Sequence, residues 1–139
     1  MKLKLLAQDE GDLQIVASIL QDAVVAVKTL HYDRTGHAFT LQGSRFRHET
    51  GSAERIFTGL AFNNVLAARH HGIDRSKPEA FAVLLDMAFQ PSDADEDPGG
   101  TVLLQFAGGG EIALDVEALD LVLADVGDTR AVKAIPAHE

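Results

Sequence analysis

The first residues, Lys2-Leu3-Lys4-Leu5, alternate charged and apolar side chains, the pattern of a short, half-exposed edge strand. The spacing then changes. Leu13, Val16, Ala17 and Leu20 recur at helical intervals, and Ile15 and Ile19 widen the apolar face, so a buried amphipathic helix ending near Asp22 is expected. Asp9 is placed to cap it, and Glu10 and Asp12 suit the positive end of its dipole.

From Ala23 the period is that of strands. Val24 to Tyr32 reads as one arm of a hairpin, Asp33-Arg34-Thr35-Gly36 as its turn and His37–Leu41 as the second arm. Centred on Arg34-Thr35, that hairpin sets His31 opposite Ala38 and His37 opposite Tyr32. Gly43 marks a bulge or bend before Arg45-Phe46-Arg47-His48 continues the strand, and residues 49–52 form a loop. Arg55–Phe62 and Val65–His70 read as strands about an Asn63-Asn64 turn, although the alanines leave helix open in the second. Phe81–Phe89 is almost wholly apolar; Gln90-Pro91 ends it, and the hairpin that must follow favours strand over helix. Asp93 to Asp97 form an acidic loop, and Pro98-Gly99 suits a type II turn. Val102, Leu104 and Phe106 share a face, as do Ile112, Leu114 and Val116 beyond the Gly108-Gly109-Gly110 turn. Asp115 then caps a closing helix whose Leu119, Val122, Leu123 and Val126 form one stripe, with Gly127 as its stop and 128–139 as a mobile tail.

The expected fold is α+β: one domain over 1–139, with an N-terminal helix and a mostly antiparallel sheet of six to seven strands, curved or rolled into a partly open barrel, closed by a C-terminal helix. The strand count and closing helix resemble the pleckstrin-homology-like barrel in topology, a likeness that carries no function.

Composition narrows the chemistry. The 46% hydrophobic and 24% charged fractions are those of an ordinary soluble globular protein. No apolar run approaches the roughly 18 residues of a membrane span, and Asp9 and Glu10 interrupt any signal-peptide core, so a cytoplasmic location is expected. The lack of cysteine removes disulfides, thiolate nucleophiles and zinc–thiolate sites. A net charge of −9 argues against nucleic acid and anionic membranes as partners. That charge is uneven: residues 45–78 hold six Lys/Arg against three Asp/Glu, whereas 79–139 hold two against thirteen.

The basic middle third supplies the candidate site. On one strand Arg45 and Arg47 share a face opposite Phe46, so the phenylalanine is expected in the core and the arginines in solvent. Arg69 and His71 share a parity on a neighbouring element. Together Arg45, Arg47, Arg69 and His71 form the candidate ligand- or partner-binding set, for an acidic peptide, an anionic small molecule or a protein partner. The structural alternative pairs these cations with Glu49, Glu54 or the acidic C-terminal third.

Other chemistries find less support. The triple glycine leads into a strand rather than a helix and lacks a phosphate-loop ending. Asp93, Asp95 and Asp97 match the start of a calcium loop, but Pro98 and Leu104 stand where glycine and glutamate are needed. His70 and His71 point to opposite faces, and no serine lies in a nucleophile elbow. No catalytic residue, metal ligand or cofactor is assigned. A non-catalytic binding or interaction module is favoured over a small hydrolase or metal-dependent enzyme using histidines and carboxylates, and over a structural homo-oligomeric subunit.

The strings PGGTVLLQFAGGGEIALDVEALDLVLADVG and LKLLAQDEGDLQIVASILQDAVV resemble a mainly alphaproteobacterial family catalogued as domain of unknown function 2948. The resemblance spans almost the whole chain. Arg45-Phe46-Arg47-His48-Glu49 stands at the family's aromatic-basic segment without its tryptophan. The resemblance implies a small cytoplasmic protein and carries no catalytic residue with it.

Overall fold

The computed structural model describes residues 2–47, 54–77 and 79–131, and the side chains as far as Val126. The loop expected at 49–52, His48 and residues 132–139 of the expected tail lie outside the described residues.

Strand β1 (Lys4–Ala7) leads into helix α1 (Glu10–Ile19), which the Asp9 carboxylate caps by accepting from Asp12 N at 2.8 Å. Leu13, Val16 and Ala17 are its buried face, packed against β1 and β7 (Phe81–Pro91). The other strands are β2 (Ala23–Ala26), β3 (His31–Asp33), β4 (Ala38–Phe46), β5 (Glu54–Phe62), β6 (Val65–His71), β8 (Gly100–Phe106), β9 (Glu111–Val116) and β10 (Leu121–Ala131). Every pairing is antiparallel, in the order β1-β10-β5-β4-β2-β7-β8-β9-β6, with β3 also on β4. The sheet does not close into a barrel. Its concave side holds one core, in which Leu13, Leu60, Phe62, Leu104, Leu114 and Leu123 are buried.

Four expectations are corrected. The strand expected from Val24 to Tyr32 breaks at a 3-10 turn over Val27–Thr29, so β2 and β3 lie end to end along β4. The hairpin centre lies one residue later than expected, between Thr35 and Gly36. Asp33 accepts from the N–H groups of Thr35 and Gly36 at 3.1 Å each, His37 takes a positive φ of 55°, and His31 pairs with Thr40, not Ala38. Gly43 is no bulge, since the β4–β5 register runs through it unbroken; a Cβ there would stand 2.4 Å from Val24 O.

The closing helix is the fourth. Residues 121–131 are a strand between β1 and β5, and Leu119, Leu121 and Leu123 alternate inward while Val126 faces solvent. Asp115 lies on β9 rather than at a helix cap, and Gly127 falls within a register irregularity of β10 between Asp125 and Thr129. Residues 128–131, expected in a mobile tail, belong to that strand.

Candidate functional site

The four candidate cations do not converge. Arg45 and Arg47 stand at the end of β4, while Arg69 and His71 lie on β6, five places away in the strand order. Arg45 corrects the solvent-facing expectation directly: it is 0% exposed on the concave side, opposite Ile56. Its Nε and Nη2 donate to the two Asp125 carboxylate oxygens at 2.9 and 2.7 Å, and its Nη1 to Phe46 O at 3.0 Å. Asp125 also accepts from Leu3 N at 2.8 Å, and Leu3 O accepts from Asp125 N at 2.9 Å. Burial alone would raise the Asp125 carboxyl. The hydrogen bonds from Arg45 and Leu3, the Arg45 charge and the Thr58 hydroxyl together hold it below the usual carboxylate range.

Phe46, expected in the core, lies on the convex side under the Arg55 guanidinium, 4.1 Å from its ring centre. Arg55 is itself buried, and donates to Ser44 Oγ at 3.1 Å and Ser44 O at 2.7 Å. Desolvation lowers its pKa, with the Asp22 charge opposing. Arg47 is buried with a nitrogen 3.8 Å from Glu54. Arg69 makes a two-pronged pair with Asp115 on the neighbouring β9, and Thr101 Oγ1 donates to the same carboxylate at 3.0 Å. His71 is exposed, opposite Glu111.

Two surfaces emerge instead. The first is a seam where the free edge of β6 faces β3. Tyr32 Oη donates to Val65 O at 2.9 Å and Val65 N to His37 O at 2.8 Å, while Arg75 Nη2 reaches Leu30 O at 3.2 Å. Between these ties lies a cavity of about 160 Å3 walled by Leu30, Tyr32, Phe39, Ile73 and Ile112, with Arg69, His70 and Arg75 also lining it. Of the candidate set only Arg69 belongs to it.

The second is the convex side of β1, β10, β5, β4, β2 and β7. Directly opposed residues share a face. Leu6, Val122, Ala61 and Thr40 form one row, Lys4, Ala124, Gly59 and Gln42 the next, and Phe57, Ser44, Val24 and Val83 a third. Ala26 opposes Phe81 beyond them. Leu6 is 62% exposed, Val126 58% and Phe81 48%. A groove of about 290 Å3 runs between Val24, Ala26, Phe57, Phe81 and Val126, with Lys28 at its rim. These rows contain no Asp or Glu, in a chain that has 21.

With this geometry in hand, the comparison with known families is decisive for kinship: the family described as "Protein of unknown function (DUF2948)" matches residues 3–138. The chain belongs to that family. Among curated proteins none matches it. Membership brings no residue roles, so roles rest on the geometry alone. Among the described residues no three His, Asp or Glu side chains are grouped to hold a metal ion. Ser76 Oγ donates to Asp74 at 2.5 Å within a local turn, and Ser44 is engaged by Arg55. The Asp97 carboxylate accepts from Gly99 N at 2.8 Å, a bond that, with one from Ser92, lowers its pKa and ties it into its own loop. No helix among the described residues is long and apolar enough to cross a membrane.

Asp125, Leu30, Tyr32 and Phe81 were not singled out as site residues from sequence. Asp125 offered no signal, because its partner lies 80 positions away. The convex face had one: β1, β2 and β7 carry apolar residues at both parities, where a one-sided sheet would alternate.

Proposed function

We propose that the protein is a non-catalytic interaction module that docks a partner protein on its convex sheet face. The observation that supports this reading is the set of opposed rows from Leu6 to Phe81, apolar or small except at Lys4, Thr40 and Gln42, and free of carboxylates on an otherwise acidic chain. Sheets with one solvated face alternate apolar and polar residues, and contiguous exposed apolar surface on such a face marks an interaction site. Phe81 and Val126 flank the groove as anchors, and Lys4 and Lys28 supply a basic rim that favours an apolar partner surface edged with acidic groups. The basic middle third contributes to the fold: Arg45 and Arg69 each hold a carboxylate of the acidic C-terminal third.

Photocrosslinking tests this. With p-benzoylphenylalanine replacing Phe81 in the native cells, one discrete adduct is expected, absent when the probe replaces exposed Gln105 on β8. Adding Val126→Glu should abolish the adduct with the melting temperature unchanged. No adduct at position 81, or the same adducts at both positions, would reject the docking face.

A further inference from the structure

We infer that the β3–β6 seam is a binding site for a small apolar monocarboxylate, with its hydrocarbon part among Leu30, Phe39 and Ile112 and its carboxylate on Arg75. Size sets the class of ligand. A volume of about 160 Å3 is below the roughly 300–1,000 Å3 of pockets that take drug-sized molecules and cofactors. At ~30 Å3 for each water in the liquid, it equals about five waters, which suits a branched chain of four or five carbons.

The wall sets the polarity. Leu30, Phe39, Ile73 and Ile112 are hydrocarbon and the Tyr32 hydroxyl already donates to Val65 O, so a ligand polar throughout, such as a sugar, would leave most of its hydroxyls unmatched there. Arg75 sets the charge. Its Nη2 is tied to Leu30 O at 3.2 Å, which steadies the guanidinium at the cavity, and a guanidinium has five N–H donors arranged to grip a carboxylate with two parallel bonds. The nearest acidic side chain in sequence, Asp74, is engaged by Ser76 through its N–H at 2.9 Å and its hydroxyl at 2.5 Å. Arg69 is held by Asp115, so the assignment falls to Arg75, with His70 beside it. A neutral alcohol of the same shape would fill the cavity but leave that guanidinium without its anion.

The site is separate from the convex face and stands or falls independently of it. The test is a titration of the isotope-labelled full chain with isovalerate, read by amide and methyl chemical shifts, beside isoamyl alcohol as the neutral counterpart. Saturable shifts confined to Leu30, Ile73, Ile112 and their neighbours are expected by about 10 mM, as a Kd near 1 mM requires. The alcohol should bind about tenfold more weakly or worse, since a hydrogen-bonded charge is lost. Arg75→Gln, at an exposed position, should weaken isovalerate about tenfold while leaving the alcohol unchanged. Ala68 also lines the cavity, and Ala68→Leu should fill it and block both. Absence of localised shifts, equal affinity for acid and alcohol, or indifference to Arg75→Gln would each overturn the inference.

Discussion

An ionised guanidinium with no exposed surface costs several kilocalories per mole to desolvate, and Arg45 offsets that with both oxygens of Asp125 and the carbonyl of Phe46. Cutting either side of the pair should therefore be severe. Arg45→Ala and Asp125→Ala are each expected to lose about 3–5 kcal/mol in urea unfolding. Joint replacement, Arg45→Met with Asp125→Leu, should lose less than the two single losses added together, because no lone charge is left buried. The remaining loss, about 1–3 kcal/mol, is that of an unpaired Leu3 N–H. The same carboxylate gives the fold an acid limit. Its pKa is lower folded than unfolded, so its contribution is complete above the unfolded value near ~3.9 and disappears as pH falls through the folded value. Asp115, held down first by Arg69, acts with the same sign. Asp125→Asn should flatten the fall of melting temperature between about pH 5 and 2. An unchanged slope would remove Asp125 from the acid limit.

At the scale of elements, β10 shows where local pattern fails. Leu119, Val122, Leu123 and Val126 satisfy a helical repeat, and Leu119, Leu121 and Leu123 satisfy a strand repeat, so the segment alone supports both. Distant partners decide between them: Leu123 pairs with Leu5 on one side and Leu60 on the other. The strand assignment predicts an alternating mutational pattern. Leu121→Ala and Leu123→Ala should each lose about 2–5 kcal/mol, whereas Val126→Ala should change stability by about 0.5 kcal/mol or less. A loss at Val126 equal to that at Leu123 would restore the helix. By contrast, α1 was legible because its signals are local: Asp9 at the cap and Leu13, Val16 and Ala17 on one face. So were the β8–β9 hairpin and β7, whose glycines and Pro91 mark their ends. Arg45 was not, since alternation places charges in solvent unless a buried counter-charge is known. The seam was half legible: Arg69 was found by charge, but Leu30 and Ile112 meet only through the β3–β6 approach.

Across the whole molecule, the ordered path begins with β1, four residues that cover the edge of β10 and help to seat α1. Removing residues 2–7 should lower the melting temperature and raise light scattering, because it exposes a strand edge and takes away the Leu3 contacts to Asp125. A truncated chain as stable and monodisperse as the intact one would show β1 to be dispensable. The bonds among Leu3, Arg45 and Asp125 also have a consequence for biosynthesis. At about 5–20 residues per second, a ribosome that has added Arg45 needs a further 4–16 s to reach Asp125, 80 positions later. Throughout that interval the nascent arginine lacks Asp125, and β5 lacks its β10 neighbour. The β1–β10–β5 part of the sheet thus forms only once Leu121–Ala131 has been made, and until then the nascent chain exposes an unpaired β5 edge.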